Sequence, residues 1–334
     1  MKIQFHGGLV MERNNDKHFY AKDVEAVVTS FNQGTMILEA VDSLCRQTTP
    51  PARIIIVDDG STDEDSLKVL KRIESDDDRS VEVTIVYQPN GGVSAARNTG
   101  IRRTQAPMVL ILDGDDKLEP MYIEQVSQML RDHPSMIAAS SWMHTFGVLD
   151  AIVCPSGGSP SAFLARNCCP ATHILRRAVW EQCGGYDESM RSGFEDWEFF
   201  LSMLETMPEG YIGIVESPLI DYRTAPASSN VTSMTKRLEL MRFMIEKHMT
   251  SYQNYVMDAI LGIEASSVAR LYGWESEMMH AIKAEQELSQ ESIAFMEHPT
   301  YGDGGMAAAV RIASLYDRVP WKKDDLEQMS NTEI

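Results

Sequence analysis

The chain has 334 residues, 43% of them hydrophobic and 24% charged, which is ordinary composition for a globular protein with one large domain or a domain plus an appendage. Its formal net charge of −19 argues against nucleic-acid binding and requires a cation or local basic groups at any nucleotide diphosphate site. The sequence predicts a cytoplasmic protein, because its five cysteines include no C-x-x-C pair, its first residues are not a hydrophobic signal and it has no long apolar run. Peripheral contact with a membrane is left open.

Strands and helices alternate through the first half of the chain. Short apolar, β-branched runs predict strands at 24–30, 53–57, 81–87 and 108–112, each followed by a helical pattern. This alternation predicts βαβ units and an open, mostly parallel α/β sheet. Two helix starts resemble capping boxes, Ser61 with Glu64 and Ser192 with Glu195.

The pattern becomes helical from Lys236 onward. Apolar residues recur every three or four positions from Leu238 to Ile263, and further helices are predicted at 274–297 and 305–317. We expect this stripe to pack against the first part of the chain or between subunits, so a homo-oligomer formed through these helices is left open. Recognition of a ligand or partner by the methionine-rich faces is the alternative.

Polar residues follow the predicted strands, where ligands of such sheets bind. The segment Asp113-Gly114-Asp115-Asp116 places three carboxylates within four residues, and their repulsion would be relieved by a hard divalent cation. An acidic turn before a helix is the alternative explanation. The stretches 58–61 and 91–98 similarly fit either a nucleotide site or ordinary turns.

The segment 194–200 carries a second candidate for acid–base chemistry. Asp196 stands between aromatic residues, so its pKa is expected to be raised far enough for a general base. Glu195 has a structural explanation in the capping box with Ser192, and acids at a helix start are the bland explanation for both.

Together these segments resemble glycosyltransferase family 2, a large family of inverting enzymes with the GT-A fold. The resemblance covers about residues 23–225. Its segments are VVTSFNQ at 27–33, LCRQT at 44–48, IIIVDDGSTDE at 54–64, NGGVSAARNTGI at 90–101, VLILDGDDKLEP at 109–120, GGYDE at 184–188 and EDWEFF at 195–200.

The resemblance implies a role for each matched position. Asp196 would be the general base, and Glu195 would position the acceptor or a loop. Asp115, with Asp113 and Asp116, would bind Mn²⁺ or Mg²⁺. Donor-binding residues would be Thr29, Phe31, Asp59, Arg97 and Asp113. Many relatives carry a histidine where this chain has the stretch 221–229 without one, and Arg223 would contact phosphate there instead.

The resemblance therefore implies a metal-assisted, inverting transfer of a sugar from a nucleotide-diphosphate sugar, with UDP the expected nucleotide, to an acceptor hydroxyl. The acceptor class is open among glycan, lipid-linked and protein acceptors. A non-catalytic nucleotide-sugar-binding protein of the same fold and a nucleotidyltransferase are the alternatives. The expected organisation is an extension at 1–22, a catalytic domain at 23–230 and a helical region at 231–334.

Overall fold

The computed structural model describes residues 22–76, 78–207, 209–226, 233–271, 289–302 and 304–315. Residues 1–21 of the predicted extension, residues 227–229 of the stretch without a histidine, residues 274–288 of the predicted helix at 274–297 and residues 316–317 of the last predicted helix lie outside these residues. The elements are as follows, in chain order. The strands are β1 (Val24–Ser30), β2 (Ile54–Asp58), β3 (Val83–Tyr87), β4 (Met108–Asp113), β5 (Lys117–Leu118), β6 (Met136–Gly147), β7 (Ala151–Val153), β8 (His173–Arg176) and β9 (Tyr211–Thr224).

The helices flank these strands and continue beyond them. They are α1 (Met36–Cys45), α2 (Glu64–Glu74), α3 (Val93–Arg103), α4 (Tyr122–Asp132), α5 (Pro160–Phe163), α6 (Arg177–Cys183), α7 (Glu195–Thr206), α8 (Arg237–Lys247), α9 (Met249–Asn254), α10 (Val256–Leu271), α11 (Gln290–Glu297) and α12 (Gly305–Leu315).

The strands of the described residues form one sheet in the order β3-β2-β1-β4-β8-β6-β9-β5, with β7 on β6. The first four strands are parallel, as predicted, and every residue of β1 and β2 is buried because helices cover both faces. Beyond β4 the sheet is mixed: β8 is antiparallel to both β4 and β6, whereas β9 is parallel to β6. The predicted α/β class is confirmed.

Close packing fixes α3 against the sheet. A Cβ atom added to Gly100 would lie 2.2 Å from the side chain of Val27 on β1, so only glycine allows this approach. The first half of α3 therefore reaches the carboxyl edge of the sheet with Arg97 and Asn98 buried, at 1% and 2% exposed.

Both predicted capping boxes are wrong. The N-cap of α2 is Asp63, which accepts a hydrogen bond from Ser66 N–H at 2.8 Å, while the Ser61 hydroxyl donates to Asp58. The N-cap of α7 is Phe194, with φ +64° and no side-chain capping bond, and Ser192 accepts from a lysine instead. Each serine thus has a partner outside its helix: Ser61 pairs with Asp58, and Ser192 pairs with Lys236, 44 residues away in the sequence.

The C-terminal helices divide into a packed part and an exposed part. Met296 on α11 and Met306 and Ile312 on α12 are buried in the core cluster on one face of the sheet. The apolar stripe from Leu238 to Ile263 is only partly covered, because Leu238 is 86% exposed and Ile260 61% exposed. Packing against the rest of the chain therefore covers the stripe only in part among the described residues, and packing between subunits stays a prediction. No helix among those residues combines the length and apolarity needed to cross a bilayer.

Candidate active site

The Asp59 carboxylate follows β2 and holds the glycine turn that leads into α3. Its Oδ1 accepts hydrogen bonds from the side chain of Gln88 at 2.7 Å and from Gly91 N–H at 2.8 Å. Its Oδ2 accepts a bond from Gly92 N–H at 2.8 Å, and Gly92 has φ +89°. This side chain, which the resemblance assigns to donor binding, therefore organises the glycine turn.

Arg97 joins the acidic motif to α7. Its Nη2 donates to both oxygens of Asp113 at 2.9 and 3.0 Å, and its Nη1 donates to Glu195 Oε1 at 3.1 Å. The Thr29 hydroxyl donates to the same Asp113 Oδ1 at 2.9 Å. This buried cation therefore brings together two carboxylates that lie 82 residues apart in the sequence, and it gives Glu195 an ionic partner in place of a capping role.

Asp115 and Asp116 sit in an electronegative and poorly hydrated environment. Burial, followed by repulsion from Asp113, raises the pKa of Asp115 to about 6. Burial and both neighbouring carboxylates raise the pKa of Asp116 well above its usual range. Beside Asp115, the amide nitrogen of Gln33 lies 3.4 Å from Oδ1, while the amide oxygen of Gln33 is buried without a partner among the described residues.

Arg223 closes the other side of the acidic motif from the end of β9. Its backbone N–H donates to Asp116 Oδ1 at 2.8 Å, its Nε donates to the carbonyl of Asp115 at 2.9 Å, and its Nη2 donates to Glu39 at 3.1 Å. The guanidinium also lies over the ring of Phe146, 4.5 Å from its centroid. Arg223 therefore supports the acidic motif with both its backbone and its side chain, and its contact with phosphate stays a prediction.

Asp196 occupies the first turn of α7. Its Oδ1 accepts the Trp197 N–H at 2.8 Å, and its Oδ2 accepts the side-chain amide of Asn167 at 2.9 Å. Burial, followed by repulsion from Glu195, raises the pKa of Asp196 to about 7. A carboxyl group with this pKa can take up and release a proton near neutral pH.

One cavity receives most of these groups. Its walls include Arg97, Asp113 and Asp116 from the sheet edge, and Glu195 and Asp196 from α7. The C-terminal region also contributes to its walls, with the residues Tyr301, Gly302, Gly304, Met306 and Ala307. Phe31 lies outside the cavity as an exposed aromatic ring, 47% accessible. The predicted site residues of α3, β4 and α7 thus converge.

Several residues of the site escaped sequence reasoning. Gln88, Asn167 and Glu39 each contact a predicted residue, yet none stands in a recognisable motif. Asn98 belongs to the NGGVSAARNTGI segment, but the resemblance assigns it no role. Its side chain bonds both the N–H and the carbonyl of Tyr186, and so ties α3 to the GGYDE segment. The position of Asn98 beside Arg97 was the one sequence signal for this contact between α3 and the GGYDE segment.

The donor set suits a hard cation more than a soft one. All side-chain donors at the motif are oxygens, and they come from carboxylates and an amide. Among the described residues, no three histidine, cysteine or acidic side chains already converge as a complete metal cluster. Two of the three motif carboxylates are also engaged by arginine or backbone donors, which leaves Asp115 and the unpartnered Gln33 oxygen as the open positions.

Comparisons with known proteins agree with this architecture. Residues 25–168 match the family model described as Glycosyl transferase family 2. The uncharacterized glycosyltransferase EpsJ of Bacillus subtilis is 32% identical over 105 residues, which are 31% of this chain and 29% of that protein. The chain spans 16–38% of the length of this and three further curated relatives, all glycosyltransferases by name.

Two solved structures share the fold over most of the chain. S. aureus TarS 1-349 in complex with UDP-GlcNAc has a TM-score of 0.54 and 15% identity, and the match covers 92% of each chain. The mannosyltransferase PcManGT from Pyrobaculum calidifontis, in complex with GDP-Man and Mn²⁺, has a TM-score of 0.53 and 16% identity, covering 91% of this chain and 88% of the other. The predicted GT-A fold is confirmed.

Proposed function

We propose that this chain, of which residues 25–168 match the model described as Glycosyl transferase family 2, transfers a sugar from a nucleoside-diphosphate sugar to an acceptor hydroxyl with inversion at the anomeric carbon. One observation carries the proposal: Asp196, whose pKa is raised to about 7, shares a cavity with Asp113 and Asp116 of the acidic motif. The carboxyl group that we propose as proton acceptor and two carboxylates of the acidic motif therefore line the same space.

The nucleotide would bind along the carboxyl edge of the parallel strands. Phe31 offers an exposed ring on which a base can stack, and Thr29 lies beside it on β1. A carboxylate has about four acceptor positions, of which three are filled at Asp59, so one remains for a base N–H. Uracil satisfies this requirement, and we propose a UDP-sugar as the donor.

The diphosphate would lie between α3 and the acidic motif. Asp115 would hold a divalent cation, with Asp113 and Asp116 contributing negative charge, and the unpartnered Gln33 oxygen fits the same hard-ligand chemistry. When bound, Mn²⁺ or Mg²⁺ would stabilise the charge of the departing diphosphate. Arg97 would hold the Asp113 carboxylate in place, and Arg223 would fix the backbone of the motif.

The transfer itself would be a single displacement. The Asp196 carboxylate takes the proton of the acceptor hydroxyl while the hydroxyl oxygen bonds to the anomeric carbon. The bond from that carbon to the diphosphate oxygen breaks, and its electron pair leaves with the diphosphate. General-base catalysis of this kind contributes roughly 10²–10⁴ in rate. Because attack and departure occur on opposite faces, one displacement inverts the configuration.

The first experiment is a donor assay with a panel of UDP- and GDP-sugars, with Mn²⁺, with Mg²⁺ and after chelation. Free nucleoside diphosphate and free or transferred sugar are expected from one donor, with the rate dependent on the cation. Nucleotide binding without any release of sugar would instead identify a non-catalytic nucleotide-sugar-binding protein. Formation of pyrophosphate from a nucleoside triphosphate and a sugar phosphate would identify a nucleotidyltransferase.

A further inference from the structure

Asn167 makes a contact with the proposed base that the function described so far does not use. The residue is 8% exposed and lines the cavity. Its side-chain oxygen accepts the N–H of Cys169 at 3.2 Å, while its Nδ2 donates to Asp196 Oδ2 at 2.9 Å. Because the Cys169 N–H is a donor, the amide oxygen must face it, and the NH₂ group must face Asp196.

The loop between α11 and α12 holds the Asn167 segment from outside. Gly302 has φ +83°, and a Cβ atom added there would lie 1.7 Å from the carbonyl oxygen of Asn167. In the same loop, the Tyr301 hydroxyl donates to the carbonyl of Cys169 at 3.1 Å. The helices on both sides of the loop are anchored in the core through Met296 and Met306. Tyr301 and Gly302 thus form a wall that packs against the backbone of the Asn167 segment.

This wall bears on the ionisation of Asp196 as well as on its orientation. Hydrogen-bond donation to a carboxylate favours the charged form, which opposes the effects of burial and of Glu195. Other titratable groups also face Asp196 from the elements packed around it. They are Arg97 on α3, Cys169, Tyr186, Tyr222 on β9 and Tyr301 in the loop.

We propose that Asn167 is the positioning residue of Asp196 and that close packing of Gly302, in the loop between α11 and α12, holds the backbone of Asn167 in place. The C-terminal helices are then part of the active site. This inference rests on the proposed function for the role of Asp196 as a base. The contacts from Gly302 to Asn167 and from Asn167 to Asp196 can be tested without it.

The test is a ¹³C-carboxyl NMR titration of aspartate-labelled protein, in which the Asp196→Asn variant identifies the resonance. Asn167→Ala removes one charge-assisted hydrogen bond, and the pKa of Asp196 should rise by about one to two units. Asn167→Asp keeps the shape but adds a second carboxyl group, so the rise should be larger. Gly302→Ala should also raise the pKa, because the added methyl displaces the carbonyl of Asn167.

Gly184→Ala is the matched control. Gly184 has φ +85°, and nothing lies within 4 Å of an added Cβ, so this variant carries the same backbone strain without the collision. It should leave the pKa of Asp196 unchanged. An unchanged pKa in both Asn167 variants would overturn the proposal, and a wild-type value in a folded Gly302→Ala protein would overturn the part assigned to the loop.

Activity separates this inference from the proposed function. In the donor assay, the acidic limb of the plot of kcat against pH should shift to higher pH in the Asn167 and Gly302 variants. KM for the donor should stay within about threefold of the wild-type value. A wild-type chain that turns over no donor would refute the proposed function. An active wild type whose acidic limb stays in place in Asn167→Asp would refute the positioning role alone.

Discussion

Replacement of Arg97 by methionine should destabilise the protein far more than replacement of any surface arginine. Arg97 is 1% exposed, and it is the ionic partner of both Asp113 and Glu195, whose side chains are only 26% and 16% exposed. Methionine preserves much of the packing volume but leaves two carboxylates without the cation. Breaking a buried pair in this way costs about 3–5 kcal/mol of the free energy of unfolding.

The loss should depend on pH in a defined direction. In the wild type the charge of Arg97 opposes the upward shift of the pKa of Asp196, so removal of Arg97 should raise this folded-state pKa further. Stability of the variant should therefore recover as the pH falls from 8 toward 5.5, and the gap to the wild type should narrow. Urea unfolding at the two pH values, followed by circular dichroism, measures this gap.

Arg102→Met is the matched control on the same helix. Arg102 pairs with Glu188 at 3.2 Å, but the two side chains are 57% and 47% exposed. A solvated pair of this kind contributes about 0–1 kcal/mol, and little pH dependence is expected. A loss below about 1 kcal/mol in Arg97→Met, or the same loss at both pH values, would refute the account of Arg97 as the buried counter-ion of the site.

Three further predictions concern separate parts of the structure. Asp59→Asn removes the carboxylate that accepts hydrogen bonds from Gly91 and Gly92, so the unfolding free energy should fall by about 1–3 kcal/mol and donor affinity, measured by titration calorimetry, should weaken. Asp65→Asn, at a side chain that is 86% exposed, should change neither quantity. Asp115→Asn should abolish the rise in melting temperature that Mn²⁺ with UDP produces in the wild type, and an unchanged rise would remove Asp115 from the cation site. Contacts with Glu198 and Glu205 raise the pKa of His248 to about 9, although burial opposes this rise. The wild type should therefore be more stable than His248→Asn up to about pH 6.5, and it should lose that advantage as the pH passes 9. A stability difference that grows with pH would contradict this.

The parallel half of the fold was readable from the sequence because its signals are local. β1, β2 and β4 are β-branched or aliphatic runs buried on both faces, and each ends in residues that favour turns. The acidic motif and Asp59 could be placed at one edge because parallel strands share that edge. Beyond β4, polar residues interrupt the apolar residues of β6 and β9, and β8 has only four residues, so the mixed half of the sheet was not predicted.

The interior of the site depends on contacts between distant residues. Arg97 and Glu195 are separated by 98 positions, and no periodicity relates them. Glu195 was therefore given a local capping partner, Ser192, although its charge is satisfied by Arg97. Asn167 lies in a stretch without a motif, and Gly302 becomes meaningful only when its φ angle and its distance to Asn167 are known.

The most direct measurement is a paired comparison of donor binding and sugar transfer in wild type and Asp196→Asn, with Asp65→Asn as the control. Asparagine keeps the size of the side chain and removes its capacity to accept a proton. Donor Kd should stay within about threefold of wild type while the transfer rate falls by roughly 10²–10⁴. Turnover near the wild-type rate in Asp196→Asn would contradict the claim that this carboxylate, facing the acidic motif across one cavity, activates the acceptor.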